Sequence, residues 1–230
     1  MHRYRTLLAT LQQISLFPKW FTNNVLGSTF MSALNAYLPK SFSDTVTTFG
    51  SLSGTTKWSG GVLAPNGMIY GIPRNSTTVL KIDPTTDTAT TFGSLSGTAK
   101  WIGGVLAPNG IIYGIPFSST TVLKIDPTTD TATTFGSLSG TAKWHGGVLA
   151  PNGMIYGITY NSTIVLKIDP TTDTTTTFGS LSGTANFENG VLSKNGMIYG
   201  IPSNSTTVLK IGTSQSIDED MVLSRYLNKF

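Results

Sequence analysis

The chain has 230 residues, of which only 11% are charged, with 25 glycines and no cysteine. That length suits one well-buried domain, the composition favours short strands and tight turns over helices, and the missing cysteines exclude disulfides and thiolate metal sites. The net charge of +4 resides in Arg3, Arg5, Lys19 and Lys40 of an acid-free opening stretch; the remainder is neutral, which argues against nucleic-acid binding, and no apolar run reaches the length of a membrane helix.

Residues 1–43 read as a segment of their own. RYRTLLATLQQISLF (3–17) places Leu7, Leu11 and Ile14 at helical spacing, with Leu8 beside them, and Pro18 stops the run. A basic amphipathic start of this kind is either a mitochondrion-like transit leader or an ordinary packed helix. Gln12 and Gln13 interrupt the apolar stretch, so an organelle or cytoplasmic address is expected over secretion.

From residue 44 a 43-residue unit recurs. Phe49, Phe92, Phe135 and Phe178 mark one phase of it; Trp58, Trp101, Trp144 and Phe187 mark another. A period of this length signals a stacked or circular array. In the first unit, GGVLAP (60–65) is a short apolar strand closed by Asn66-Gly67, a dipeptide that favours positive φ in hairpins. MIYGIP (68–73), TTVLKID (77–83) and the Thr-rich ATTFGSL (89–95) supply three further strands. Four antiparallel strands with apolar residues on both faces describe a propeller blade, which must stack on its neighbours to be dry.

Four copies of the first three strands occur, near 60–83, 103–126, 146–169 and 189–211. A fourth-type strand, DTVTTFGSL (44–52), precedes the first full copy, and the last copy lacks one. The expectation is an all-β, four-bladed β-propeller over 44–215, its opening strand completing the last blade. A single-chain ring is the preferred closure, hence a monomer; two chains pairing into a larger ring is the alternative, since near-identical blades do not specify their number. Ser216 and Glu219 form a capping box, and the charge order from Asp218 and Asp220 to Arg225 and Lys229 suits a dipole, so 216–230 is expected to form a C-terminal helix.

The motifs NGIIYG, LKIDPTTDT and TTF, repeated through the blades, resemble the streptogramin-lyase and NHL class of propellers. The resemblance covers about three quarters of the chain and neither terminus. It implies the propeller fold, while activity varies across the class. The lyases of the class imply a catalytic His with metal-binding carboxylates near the channel; this chain offers His145 and a lone Glu188 at the corresponding loops.

The blades differ from one another mainly at two loop sets. Positions 59, 102, 145 and 188 are Ser, Ile, His and Glu; positions 74, 117, 160 and 203 are Arg, Phe, Tyr and Ser. Varied side chains on a constant frame describe a binding face, although drift at unconstrained positions produces the same pattern. With the repeated Lys-Trp pairs, the candidate ligand-binding residues are Lys57, Trp58, Arg74, Lys100, Trp101, Phe117, Lys143, Trp144, His145 and Tyr160. Each Trp is equally readable as a wedge between blades, bonded through its indole N–H.

The recurring DPTTD raises calcium, but Asp before Pro caps turns with its own side chain, so no metal is assigned. With the Asp residues opposite Lys57, Lys100, Lys143 and Arg74, one face should be acidic and the other basic. The Asn-Ser-Thr sequons at Asn75, Asn161 and Asn204 read as turn chemistry. The expected function is a non-enzymatic module that needs no cofactor and binds a protein or a small neutral or anionic ligand such as a glycan through the Lys-Trp face. The alternatives are a propeller lyase or hydrolase using His145 and Glu188, and a structural spacer that contacts partners through its terminal helices.

Overall fold

The computed structural model describes residues 44–182 and 186–213; both expected terminal helices lie outside them. The chain divides into two units, residues 1–48 and 49–230, and every strand among the described residues falls in the second.

The first sheet has the order β1-β2-β3-β4, from β1 (Trp58–Leu63), β2 (Ile69–Pro73), β3 (Val79–Asp83) and β4 (Thr88–Phe92). The second repeats it with β5 (Trp101–Leu106), β6 (Ile112–Pro116), β7 (Val122–Asp126) and β8 (Thr131–Phe135). The third does so with β9 (Trp144–Leu149), β10 (Ile155–Thr159), β11 (Val165–Asp169) and β12 (Thr174–Phe178). The fourth holds three strands: β13 (Phe187–Leu192), β14 (Ile198–Pro202) and β15 (Leu209–Ile211). All pairings are antiparallel, as the alternating apolar pattern and short turns predict.

The expected Asn66-Gly67 hairpin takes a different form. Only Gly67 has positive φ, and its N–H closes the turn on the Ala64 carbonyl. Asn66 is thereby freed to use its side chain elsewhere, as described below.

The core is not inside any one sheet but between successive sheets. Tyr70, Ile72 and Val79 of the first blade pack with Trp101, Ile112 and Leu123 of the second. The same layers recur between the second and third and between the third and fourth. Close stacking depends on glycine. Gly104 of β5 lies where a Cβ would stand 2.6 Å from Ile72 Cδ1 and 3.0 Å from Val62 Cγ2. Gly147 receives Ile115 and Val105 in the same way, and Gly190 receives Ile158 and Val148. Each blade therefore presents an isoleucine knob to a glycine socket on the next.

The blades repeat as expected, but the closing strand does not form as expected. Residues 44–52 carry no strand, and among the described residues β15 pairs only with β14. Ile201, the fourth knob, is 50% exposed, whereas Ile72, Ile115 and Ile158 are fully buried. The first socket, Gly61, has only Ile69 and Tyr70 of its own blade within 4 Å of a Cβ position among the described residues. Blades one and four thus leave matching faces open. Gly50 nevertheless keeps the place of its repeat counterpart: a Cβ there would meet the Ala89 Cβ at 3.2 Å, as one at Gly93 would meet Ala132 at 3.3 Å. Gly50 thus lies against blade one as the residue after a preceding blade's fourth strand would.

Candidate functional site

A bulge in the first strand of each blade sets the candidate face. Pairing of β1 with β2 skips between Trp58 and Gly61, that of β5 with β6 between Trp101 and Gly104, and that of β9 with β10 between Trp144 and Gly147. The bulged residues include Ser59, Ile102 and His145, one of the two variable sets. Such bulges re-aim side chains away from the ladder.

The second variable set is held by a run of backbone hydrogen bonds across blades. Tyr160 N–H donates to the Lys143 carbonyl, Lys143 N–H to Phe117, Phe117 N–H to Lys100, and Lys100 N–H to Arg74, all at 2.8–2.9 Å. Arg74, Phe117 and Tyr160 are therefore fixed in one row. Phe117, His145 and Tyr160 gather into a single aromatic cluster. Ring centroids are 5.6 Å apart for Phe117 and Tyr160, 5.7 Å for His145 and Tyr160, and 6.3 Å for Phe117 and His145. All three rings are partly exposed.

Glu188 of the neighbouring blade reaches His145. The histidine Nδ1 lies 2.6 Å from the Glu188 carbonyl and 3.5 Å from its carboxylate Oε2. A carbonyl only accepts, so Nδ1 carries the proton and Nε2 is left unprotonated in the neutral ring. Ser203 Oγ donates to the other carboxylate oxygen of Glu188 at 3.3 Å.

The Lys-Trp pairs are placed elsewhere. Trp101 and Trp144 are 2% and 1% exposed, and their indole N–H groups donate to the carbonyls of Thr121 and Ile164 at 2.8 and 2.9 Å. Trp58, half-buried at the open end, makes the same bond to Thr78. Wedging between blades, one of the two readings available from sequence, accounts for Trp101 and Trp144, and Trp58 keeps the same indole bond at the open end. The ammonium of Lys100 donates to Ser76 and Gly97 carbonyls at 2.8 Å, and that of Lys143 to Ser119 and Gly140. Both are buried, and burial pulls their pKa values below the ordinary ammonium range. Lys57 caps Leu52 and Gly54 carbonyls of its own loop. Each ammonium also stands 5.5–5.8 Å from the ring of the Trp that follows it. These groups clamp loops and present no free cation.

The expected contrast of acidic and basic faces is therefore corrected on both sides. Lys100 and Lys143 are internal, and two of the six Asp residues are neutralised across blades. Asp130 takes a hydrogen bond from Tyr70 at 2.8 Å and an ion pair from Lys81 at 2.5 Å. Asp173 does the same with Tyr113 and Lys124. Asn66 completes the first set by donating to the Pro127 carbonyl at 2.8 Å, and Asn109 the second through Pro170. Asp83, Asp126 and Asp169 cap their own turns. Each accepts from the hydroxyl and N–H of the Thr two residues on, and these bonds lower its pKa. Among the described residues no group of three or more His, Asp or Glu is poised to hold a metal. The Asn–Tyr–Lys–Asp network was missed from sequence, although its members recur in every complete copy.

The comparisons with known proteins bear on this frame. A family model described as a repeat of unknown function, DUF6923, matches residues 41–151. By sequence the chain matches no curated protein. In fold it is similar to a catalytically inactive virginiamycin B lyase from Staphylococcus aureus with quinupristin. The TM-score is 0.56 at 11% identity, over 72% of this chain and 59% of that one. It is similar to hydrazine synthase of Kuenenia stuttgartiensis, with TM-score 0.53 at 16% identity over 70% and 49% of the two chains. It is similar as well to an auxiliary nutrient binding protein from Bacteroides ovatus, with TM-score 0.52 at 16% identity over 69% and 39%. The chain thus spans little more than half the length of the first of these, and less of the others. Repeated antiparallel sheets packed knob into socket, with these neighbours, make this chain a β-propeller-type repeat protein whose blades resemble those of the streptogramin B lyases.

Proposed function

We propose that the protein is a non-enzymatic binding module whose ligand face is the row of Arg74, Phe117, His145 and Tyr160. One observation carries this reading: three aromatic rings from two neighbouring blades gather within 5.6–6.3 Å of one another and stay partly exposed on a rigid rim. Buried structural aromatics in this fold are spent between blades, whereas these are not. A stacking platform with Arg74 in the same row suits a small ligand with a flat apolar face and a neutral or anionic group, a glycan included. The Lys-Trp pairs take no part in contact and hold the rim in place.

The test is glycan-array and pull-down binding with the intact protein and with a variant carrying Arg74→Ala, Phe117→Ala, His145→Ala and Tyr160→Ala together. Binding lost in the variant, with its circular dichroism unchanged, supports the reading; binding at wild-type strength in the variant overturns it.

A second reading has its own observation. The Glu188 carbonyl fixes the His145 tautomer and leaves Nε2 as a base, the arrangement a propeller lyase or hydrolase would use. Turnover of lactones or glycosides that disappears in His145→Ala would favour it over simple binding. The spacer reading rests on the terminal segments, outside the described residues.

A further inference from the structure

We propose that two copies of this chain close one ring head to tail, the open face of blade four in each copy seating on the open face of blade one in the other. The contacts between successive blades provide the template, because the same residue types recur at the same repeat positions on the two open faces.

Three pairs follow from it. Ile72 fills the Gly104 socket, and the corresponding knob and socket left open are Ile201 and Gly61. Lys81 and Tyr70 hold Asp130, and the corresponding groups are Lys210, Tyr199 and Asp87. Asp87 has the same left-handed turn geometry as its counterparts, φ 52° against 51° and 50°, yet no Tyr or Lys reaches it among the described residues. The faces are complementary in charge at that point, Asp87 on blade one and Lys210 on blade four. Phe92 pairs with Val79 across β4 and β3, and the corresponding residues are Phe49 and Val208. Val208 is 61% exposed and Phe49 45%, whereas Val79 is fully buried.

A second copy is the occupant because one chain carries both halves of the same contact and, among the described residues, does not bring them together: Ile201 stays half exposed, and a Cβ on Gly61 would touch its own blade alone. The likeness to the virginiamycin B lyase takes in 59% of that chain's length, which leaves room for further blades, and a second copy supplies them. Gly50 against Ala89 adds that the chain just before blade one already sits on that blade, where Phe49 would meet the last blade of a neighbour. An association of this kind uses heterologous contacts that close after two copies.

The test uses the full 230-residue chain. Light scattering is expected to give twice the 24.4 kDa chain mass, and Gly61→Leu is expected to return it to a single chain. A Cβ at Gly61 has 3.6 Å to its nearest neighbour, so the new side chain is accommodated at its base and its outer carbons fill the socket; unchanged circular dichroism checks that the blade stays folded. Lys210→Glu, at an exposed position, is the second variant and should weaken the pairing at least tenfold. The chain has no cysteine, so Phe49→Cys with Val208→Cys can be cross-linked by a short bismaleimide. A covalent species of twice the chain mass supports the two-copy ring. Cross-linking within a single chain, no cross-linking, or a ladder of higher masses overturns it.

Discussion

Ile72 Cδ1 occupies the space that a Cβ on Gly104 would need, at 2.6 Å. No real Cβ contact is that short, so the glycine is required by the neighbouring blade rather than by its own turn; its φ is not in the left-handed region. The stacking distance of the whole array is set by this pair and its two repeats.

Gly104→Ala should therefore destabilise the protein by about 1–3 kcal/mol, the usual range for overpacking. Shortening the knob should relieve part of it, since Ile72 Cγ1 at 2.9 Å and Val62 Cγ2 at 3.0 Å stay in place. Ile72→Val removes the offending Cδ1, so the double variant should be less destabilised than the sum of the two singles, with a coupling of about 1 kcal/mol. Urea unfolding of the four proteins of this cycle measures the coupling. Additive losses would show that the blades part to admit the methyl group.

The Tyr113–Asp173–Lys124 network predicts an alkaline weakness. Burial, joined by the hydrogen bond to Asp173, raises the Tyr113 pKa from 10.0 to about 12. A phenol that keeps its proton longer in the folded state stabilises fully below pH 10 and loses that contribution as pH climbs toward 12. Lys100 and Lys143 act in the opposite sense, gaining stability as pH rises toward 10.5, so the wild-type curve alone is a mixture. The comparison with Tyr113→Phe isolates the phenol. The variant should be less stable at pH 8, where Asp173 loses a donor, and the gap should narrow between pH 10 and 12. A gap independent of pH would mean that the phenol titrates normally.

Thr159 offers a stabilising change. It is fully buried, its hydroxyl has no hydrogen-bond partner among the described residues, and the other three copies carry Pro73, Pro116 and Pro202 at this place. The backbone there accepts proline, so Thr159→Pro removes an unpaired buried hydroxyl and restricts the unfolded chain. A gain of about 1–2 kcal/mol is expected, read as a higher Tm by calorimetry. A lower Tm would show that the Thr159 N–H is needed.

How much of this was legible beforehand depends on whether the cause is local in the repeat. Strand order followed from the spacing of apolar residues and turns within 43 positions. The Trp wedge was one of two readings because an indole N–H needs a partner wherever it is buried. The Tyr70–Asp130 bond was not legible, since it joins residues 60 apart through the stacking of two blades, and the resulting cancellation of charge hid with it. The aromatic cluster was half legible: variable positions pointed to Phe117, Tyr160 and His145, but only the bulge at Trp144 and the backbone row bring the rings together. Closure left no trace at all. Every copy carries the same knob and socket, so nothing in the repeat states how many make a circle.

Lys100 gives the last prediction. Its ammonium is buried and satisfied by the Ser76 and Gly97 carbonyls, joining blade one to blade two as well as closing its own loop. Lys100→Met keeps most of the aliphatic packing beside Trp101 but orphans those carbonyls. Removing donors to buried acceptors should cost about 1–3 kcal/mol. Lys57→Met at the open end, where only the Leu52 and Gly54 carbonyls of one exposed loop are capped, should cost under about 1 kcal/mol. Because Lys100 supports the row that holds Arg74 and Phe117, its variant should also loosen the rim, seen as faster exchange of the backbone amides at position 100 and at Phe117. Equal losses for the two lysines, with unchanged exchange, would mean that the interblade clamp contributes no more than a surface cap.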